Sequence, residues 1–345
     1  MGTPMTRITI TTLALAVALL SGCAEVAAPA APALGIDRAR VSVSGLSSGA
    51  YMAQQVHLAF SDRLTGAALF AGGPYACADG QLERALAQCM APAQAPAPEP
   101  LAARAKERAA KGTIAPLSGL SGDRVYVFHG TLDQVVGAAV SNASASIYAL
   151  LEPSVVVSLD FTRAVAHTFP TLNSGGDCAR SESPYVGACG FDGAGAALKA
   201  LGLIDAGASA ATAAAEQLQS FDQNALKAAN AEPHLAPAGF LYVPARCAAG
   251  GCALHIVFHG CEQSSNEVGR VFAETSGYNR WADAAGIVIA YPQAQASYVP
   301  LNPKACWDWW GYTGADYDTA LGAQPQMVAN LIDALAQTVA SAKRD

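Results

Sequence analysis

The sequence predicts an α/β fold, a mostly parallel central sheet with helices on both faces. Three observations carry that reading. Gly45-Leu46-Ser47-Ser48-Gly49 lies between a β-prone run, residues 40–44, and a helix-like run, residues 50–60. This is the strand-turn-helix setting of a serine elbow, in which the flanking glycines leave room for a strained central residue. Short apolar runs then alternate with helical stretches, as in parallel strands buried on both faces. A second set of strand-like runs returns late in the chain, from Gly239 onward.

Taken in order, the elbow strand and its helix are followed by a short apolar strand at 65–70, closed by the turn Ala71-Gly72-Gly73-Pro74. Residues 77–112 read as an excursion, with an Ala/Pro piece at 91–100 and a charged, solvated helix at 101–111. Strands are expected at 124–128 and, buried, at 155–161. A small-residue helix begins at Gly193, and the Ala-rich run 206–215 has helix propensity. Beyond it, strands are expected at 239–243, 254–258 and 287–291, with a helix at 278–285 between the last two.

Composition bounds the functional classes. With 14% charged and 52% hydrophobic residues over 345 positions, the chain is globular and long enough for a sizeable core. Its formal net charge of -7 has no basic run to offset it, which argues against nucleic acid and against an electrostatic membrane patch. Arg7, the apolar stretch 8–20 and Leu20-Ser21-Gly22-Cys23 read as an export leader with a lipobox-like end. Residues 1–23 are therefore a lipoprotein-type signal segment, or a plain secretory one, with Cys23 as the lipidation site. Residues 24–35 form an Ala/Pro tether, and 36–345 a single catalytic domain. Any membrane contact is expected through the N-terminal lipid alone, and the protein is exported, either held at the cell envelope or secreted.

Of nine cysteines, setting aside Cys23 leaves eight, an even number suited to an oxidising compartment. Sequence alone does not fix their connectivity. Pairing of neighbours is the expectation: Cys77 with Cys89, Cys178 with Cys189, Cys247 with Cys252, and Cys261 with Cys306. No C-x-x-C pair is present and no histidine stands at ligand spacing, so neither a metal nor another cofactor is expected.

The chemistry centres on Ser47 as nucleophile, with the Ser48 amide at the helix start aimed at a developing oxyanion. Asp133 follows the strand 124–128, where the carboxyl ends of parallel strands open onto a ligand crevice. Asp160, at the end of the next strand, competes for the same role. Six histidines are present, and only His167 lies on a loop after Asp133 in the order serine, acid, histidine found in α/β-hydrolases. In that fold the strand ending in His-Gly ordinarily precedes the elbow. Here His259-Gly260 follows the histidine. Circular permutation explains the order: the chain begins at the elbow strand and returns at its end to build the strands that normally come first.

Five blocks, in this order, carry a resemblance: Gly45-Leu46-Ser47-Ser48-Gly49-Ala50-Tyr51-Met52-Ala53, His129-Gly130-Thr131-Leu132-Asp133, Ala166-His167-Thr168-Phe169-Pro170, His259-Gly260-Cys261-Glu262-Gln263 and Cys306-Trp307-Asp308-Trp309-Trp310. They are similar to the single-domain poly(3-hydroxybutyrate) depolymerases with a circularly permuted α/β-hydrolase fold, over nearly the whole chain from residue 36. The resemblance implies a serine esterase acting on short-chain poly(3-hydroxyalkanoate) or its oligomers. It implies Ser47, Asp133 and His167 as the triad, the amides of Ser48 and Cys261 as the oxyanion hole, and polymer binding by the Trp307 region. Trp307, Trp309 and Trp310 would form an apolar wall for the substrate, or else pack in the core. A general carboxylesterase or feruloyl-type esterase, and a non-catalytic envelope lipoprotein using the fold as a binding module, are the competing functions.

Overall fold

A computed structural model describes Gly2 and residues 28–338, apart from 92, 93, 95 and 230. Apart from Gly2, the expected leader with Cys23 as its expected lipidation site, and the first part of the expected tether, lie outside the described residues. In chain order the strands are β1 (Val41–Leu46), β2 (Gly66–Phe70), β3 (Arg124–Phe128), β4 (Val156–Asp160), β5 (Phe169–Thr171), β6 (Gly176–Asp177), β7 (Val186–Ala188), β8 (Leu218–Asp222), β9 (Ala238–Tyr242), β10 (Ala253–Phe258) and β11 (Ile287–Tyr291). The helices are α1 (Ser48–Ala59), α2 (Leu82–Gln88), α3 (Pro98–Ala110), α4 (Ala138–Leu151), α5 (Gly193–Ala200), α6 (Ser265–Val268), α7 (Val271–Thr275), α8 (Tyr278–Ala285) and α9 (Ala323–Ala336).

Eight strands form one sheet in the order β4-β3-β2-β1-β10-β11-β9-β8. Every neighbouring pair from β4 to β11 is parallel, and only the β11–β9 and β9–β8 pairs are antiparallel. The late strand β10 lies beside the elbow strand, with Val41 opposite Leu254 and Gly45 opposite Phe258. Strands from the end of the chain thus stand on one side of β1 and strands that follow it on the other, as circular permutation predicts.

The period-2 geometry of a strand sorts the apolar residues to two faces. Val43, Leu69, Val127, Ile256 and Val288 belong to the core on one side of the sheet, which α1, α3, α4 and α9 cover. Phe70, Phe128, Val257, Ile289 and Tyr291 belong to the other, covered by α5, α7, α8 and the β5-β7-β6 sheet. Helix α1 is buried along its whole length, which its small residues Gly49, Ala50 and Ala53 permit. The polar side chains on β1 are satisfied internally, as burial requires: Ser42 and Ser44 meet the two ring nitrogens of His255 at 2.7 and 2.8 Å.

Three local expectations change. Strand β4 is not buried; Val156 and Leu159 are exposed, because β4 is the sheet edge and pairs only with β3. The Ala-rich run 206–215 forms no α-helix: propensity without an apolar face to bury does not stabilise one. Helix α3 begins at Pro98 and is not a solvated rod, since Leu101, Ala102 and Ala105 are buried against the first core. The excursion 77–112 as a whole is folded onto the body. The Arg108 guanidinium pairs with the buried Asp318 of the body, while Arg104 pairs with Asp79 inside the excursion.

The four disulfides join neighbours as expected: Cys77–Cys89, Cys178–Cys189, Cys247–Cys252 and Cys261–Cys306. Among the described residues no helix is long and apolar enough to cross a membrane.

Candidate active site

Ser47 sits between the end of β1 and the start of α1 with φ 56° and ψ -122°, a strained backbone for a residue with a Cβ. The two glycines make the turn sterically feasible. A Cβ on Gly45 would strike the Gly49 backbone, so the elbow could not close. A Cβ on Gly49 would strike the carbonyl oxygens of Phe258 and His259, so α1 could not approach the end of β10. The Ser47 amide donates to the Phe70 carbonyl at 2.9 Å, tying the elbow to β2.

Asp133 and His167 meet at 2.7 Å, Oδ2 to Nδ1. Their approach is built from backbone. Gly130 lets the loop after β3 lie against Val165, where a Cβ would collide. The amides of Thr131 and Leu132 then donate to the carbonyls of Arg163 and Val165, at 2.8 and 3.2 Å. His129 Nε2 donates to the Val136 carbonyl at 2.8 Å, closing the same loop from its other side. The Asp133 Oδ1 accepts the amides of Val135 and Val136 at 2.8 and 3.0 Å. Burial alone would raise the Asp133 pKa; the His167 hydrogen bond and charge, with those two amides, override it and hold the carboxyl below its usual range. Asp160 is elsewhere, engaged by Arg163 Nε at 2.7 Å.

The loop after β10 brings the third component. Its register opposite β1 sets Gly260 beside the elbow, with Ser47 Cβ 3.5 Å from where a Cβ on Gly260 would stand. His259 is neutral, burial having pushed its pKa down to about 4. Its Nε2 accepts the Ala294 amide at 3.0 Å, so Nδ1 carries the proton and donates to the Gly260 carbonyl at 2.6 Å. Gln263 accepts the Gly260 amide at 2.8 Å and donates to the carbonyls of Pro184 and Tyr185. It thereby clasps this loop to the segment downstream of His167. Among the described residues, neither the Ser48 nor the Cys261 amide donates to another protein group, so both donors are free.

Two cavities meet at Ser47. One, about 330 Å³, is apolar, with Tyr51, Leu86, Met90, Leu301, Trp309 and Trp310 in its wall. The other, about 230 Å³, is more polar and holds His167, Ser181, Tyr185, Glu262 and Lys304. Ser47 and Cys261 line both. Ser47 and His167 share the second cavity without a direct hydrogen bond between them among the described residues.

The tryptophan segment needs correction. Trp307 is fully buried against Phe258 and His259 and lines neither cavity. The reason is Asp308, whose carboxylate accepts the amides of Trp310, Gly311, Tyr312 and Thr313 and curls the chain, so that 307 and 309 do not share a face as an extended segment would require. Trp309 faces the cleft, stacked on Tyr51 with ring centroids 4.4 Å apart. Trp307 contributes through its backbone instead, its amide donating to Ser48 Oγ at 3.3 Å. Sequence reasoning also missed Leu82, Leu86 and Met90, which the excursion lays over the cleft. Cys77–Cys89 and the Tyr51 hydroxyl, which donates to the Cys89 carbonyl, hold that wall in place.

No family model matches the chain. It is 38% identical over 308 residues to the poly(3-hydroxybutyrate) depolymerase of Delftia acidovorans, covering 88% of this chain and 60% of that protein. It thus spans less than two thirds of that relative's length. With the polyhydroxybutyrate depolymerase of Talaromyces funiculosus it is 39% identical over 320 residues, 88% of this chain and 91% of the relative. The solved PHB depolymerase from Penicillium funiculosum matches with a TM-score of 0.79 and 33% identity, over 89% of this chain and 98% of that one. A serine-to-alanine PHB depolymerase variant complexed with an R3HB trimer matches with the same values. At such identity over most of the chain, and with the same fold, the chain belongs to the poly(3-hydroxybutyrate) depolymerase family of carboxylic ester hydrolases.

Proposed function

We propose that this chain is an exported serine esterase that cuts short-chain poly(3-hydroxyalkanoate) or its oligomers by two-step acyl transfer. The observation that carries the reading is the 2.7 Å Asp133–His167 pair, whose histidine lines the same cleft as Ser47 on its strained elbow. His167 Nε2 takes the Ser47 proton as Oγ attacks the ester carbonyl, while Asp133 keeps the other ring proton on Nδ1. The amides of Ser48 and Cys261 receive the oxyanion, each such donor contributing about 3 kcal/mol in comparable sites. Collapse breaks the ester C–O bond, and His167 returns the proton to the leaving alcohol oxygen. Water then repeats the sequence and frees the acid.

The apolar cavity suits the acyl side, where Trp309, Trp310, Met90 and Leu86 offer contact to repeating methyl and methylene groups. Four disulfides support export. Lipidation at Cys23 is the finer part of the proposal, checked by whether the exported protein partitions into detergent and loses that property in Cys23→Ser. Catalysis is tested by intact-mass analysis after fluorophosphonate treatment, expected to label Ser47. Release of 3-hydroxybutyrate from amorphous polymer, set beside hydrolysis of p-nitrophenyl esters, tests the substrate. No release of 3-hydroxybutyrate with good p-nitrophenyl activity would leave a general esterase.

A further inference from the structure

The second cavity has a composition that a neutral polyester does not call for. Lys304 is the one Lys or Arg among the described residues lining either cavity, and it lines both. Its ammonium lies 3.2 Å from Glu262 Oε2, which also accepts the Tyr185 hydroxyl at 3.1 Å. Backbone holds the pair in place, since the Glu262 amide donates to the Lys304 carbonyl at 2.7 Å and Cys261 is bonded to Cys306. The cluster therefore belongs to the site's rigid frame, although the lysine head is open to solvent.

Which end of a substrate lies there follows from the proton transfers. His167 must reach the leaving alcohol oxygen, and it lines the polar cavity and not the apolar one. The departing alcohol thus lies on the polar side. In a 3-hydroxyalkanoate chain the alcohol fragment is the part that runs toward the free carboxyl end, and that carboxylate is the chain's one charge. Lys304 reaches this smaller, leaving-group cavity as well as the apolar one, and on the leaving-group side it meets that carboxylate only when the scissile ester is close to the carboxyl terminus.

Resting on the polyester reading above, we infer that Lys304 recognises the terminal carboxylate of hydroxyalkanoate oligomers and biases cleavage toward the carboxyl end. Glu262 tempers this bias, because it occupies the same ammonium in the unliganded enzyme and repels an incoming carboxylate. Lys304 is a specificity-determining residue in this account and takes no part in proton transfer.

The experiment compares kcat/KM on a 3-hydroxybutyrate trimer with a free carboxylate and on the same trimer as its methyl ester. Wild type is expected to favour the free acid, and added KCl to reduce the ratio, since a partly exposed charge contact is screened. Lys304→Gln should lower the free-acid to ester ratio about three- to tenfold. Glu262→Gln should raise it. Opposite signs for the two partners distinguish recognition from a structural ion pair, whose loss from either side would lower activity on both substrates in parallel. That parallel loss, or a ratio indifferent to Lys304→Gln and to salt, overturns the inference while leaving the esterase intact. Failure of wild type on both trimers overturns the polyester reading itself.

Discussion

Asp133→Asn separates the triad acid from a merely structural aspartate, and the structure fixes what it does. The two backbone amides of Val135 and Val136 converge on Oδ1, while Oδ2 receives His167 Nδ1. An asparagine must keep its carbonyl oxygen on those amides, because its NH2 cannot accept from them. The NH2 then faces Nδ1 and donates to it. Nδ1 becomes the acceptor, and the single proton of the neutral ring moves to Nε2, the nitrogen that has to accept the Ser47 proton. A wrong tautomer of this kind lowers kcat by roughly four orders of magnitude in serine hydrolases, or about 5 kcal/mol of barrier.

The assay is kcat on p-nitrophenyl butyrate, read beside folded stability in denaturant. Asp133 has a depressed folded pKa, so its stabilising contribution is present at neutral pH and fades as pH falls through that lowered value. The asparagine variant is therefore expected to be less stable at pH 7, with the deficit shrinking in acid. Asp160→Asn is the matched control: its carboxylate is occupied by Arg163 and Thr162 at the sheet edge, and kcat should stay within about twofold, as for exposed ion pairs. Retention of a tenth of the wild-type kcat by a folded Asp133→Asn, or a large loss in Asp160→Asn, would refute the assignment.

Ser47→Ala should lose roughly three or more orders of magnitude in turnover while staying folded, and intact-mass analysis should show no inhibitor adduct. Gly49→Ala should cost about 1–3 kcal/mol of stability, measured by urea unfolding, because the new Cβ meets the carbonyls of Phe258 and His259. Cys306→Ser, by freeing the loop that carries the Cys261 amide, should reduce kcat by more than its loss of stability explains, measured where both proteins are fully folded. The buried His255, pushed down to about 3 by burial, stays neutral when folded and takes a proton when unfolded below its ordinary value. Its contribution is thus full above pH 6.5 and erodes below it, by up to about 1.4 kcal/mol per pH unit. Asp308 and Asp318, raised by burial, act oppositely, so the contribution of His255 is read as the difference in slope between wild type and His255→Gln below pH 6.5. His259, likewise held neutral by burial, adds to the same slope, so His255→Gln should make it shallower without abolishing it, and an unchanged slope would remove His255 as a source.

Much of the fold was legible because it is encoded locally. The elbow needs two glycines, a strand before and a helix after, all within one short stretch. The parallel strands announce themselves as apolar runs, and Asp133 and His167 each follow a strand end. Helix α4 and strand β8 do not stand out, since α4 mixes serine and alanine through its buried face and β8 is recognisable only as a partner of β9. The apolar cleft wall was hidden for a different reason. Leu86 and Met90 lie in an excursion whose direction is set by Arg108 reaching Asp318, far along the chain. The facing of Trp307 and Trp309 is likewise decided by four amides turning around Asp308, a pattern with no periodicity to read.

Permutation leaves the chemistry intact because catalysis depends on which strands are neighbours and in what register. Gly45 pairs with Phe258, so Ser47 and Gly260, each two residues further on, arrive side by side at the carboxyl ends of parallel strands. Covalent order enters through entropy instead. The loop after β10 comes from the opposite end of the chain, and nothing local positions it against the elbow. It is held from several directions: by His259, whose Nε2 accepts the Ala294 amide, by Gln263 on Pro184 and Tyr185, and by Cys261 on Cys306, with Ser48 Oγ completing the circuit through the Trp307 amide. Each tie joins segments that a different chain order would also have to join, so the ties, rather than the connectivity, are where substitutions should disturb turnover most.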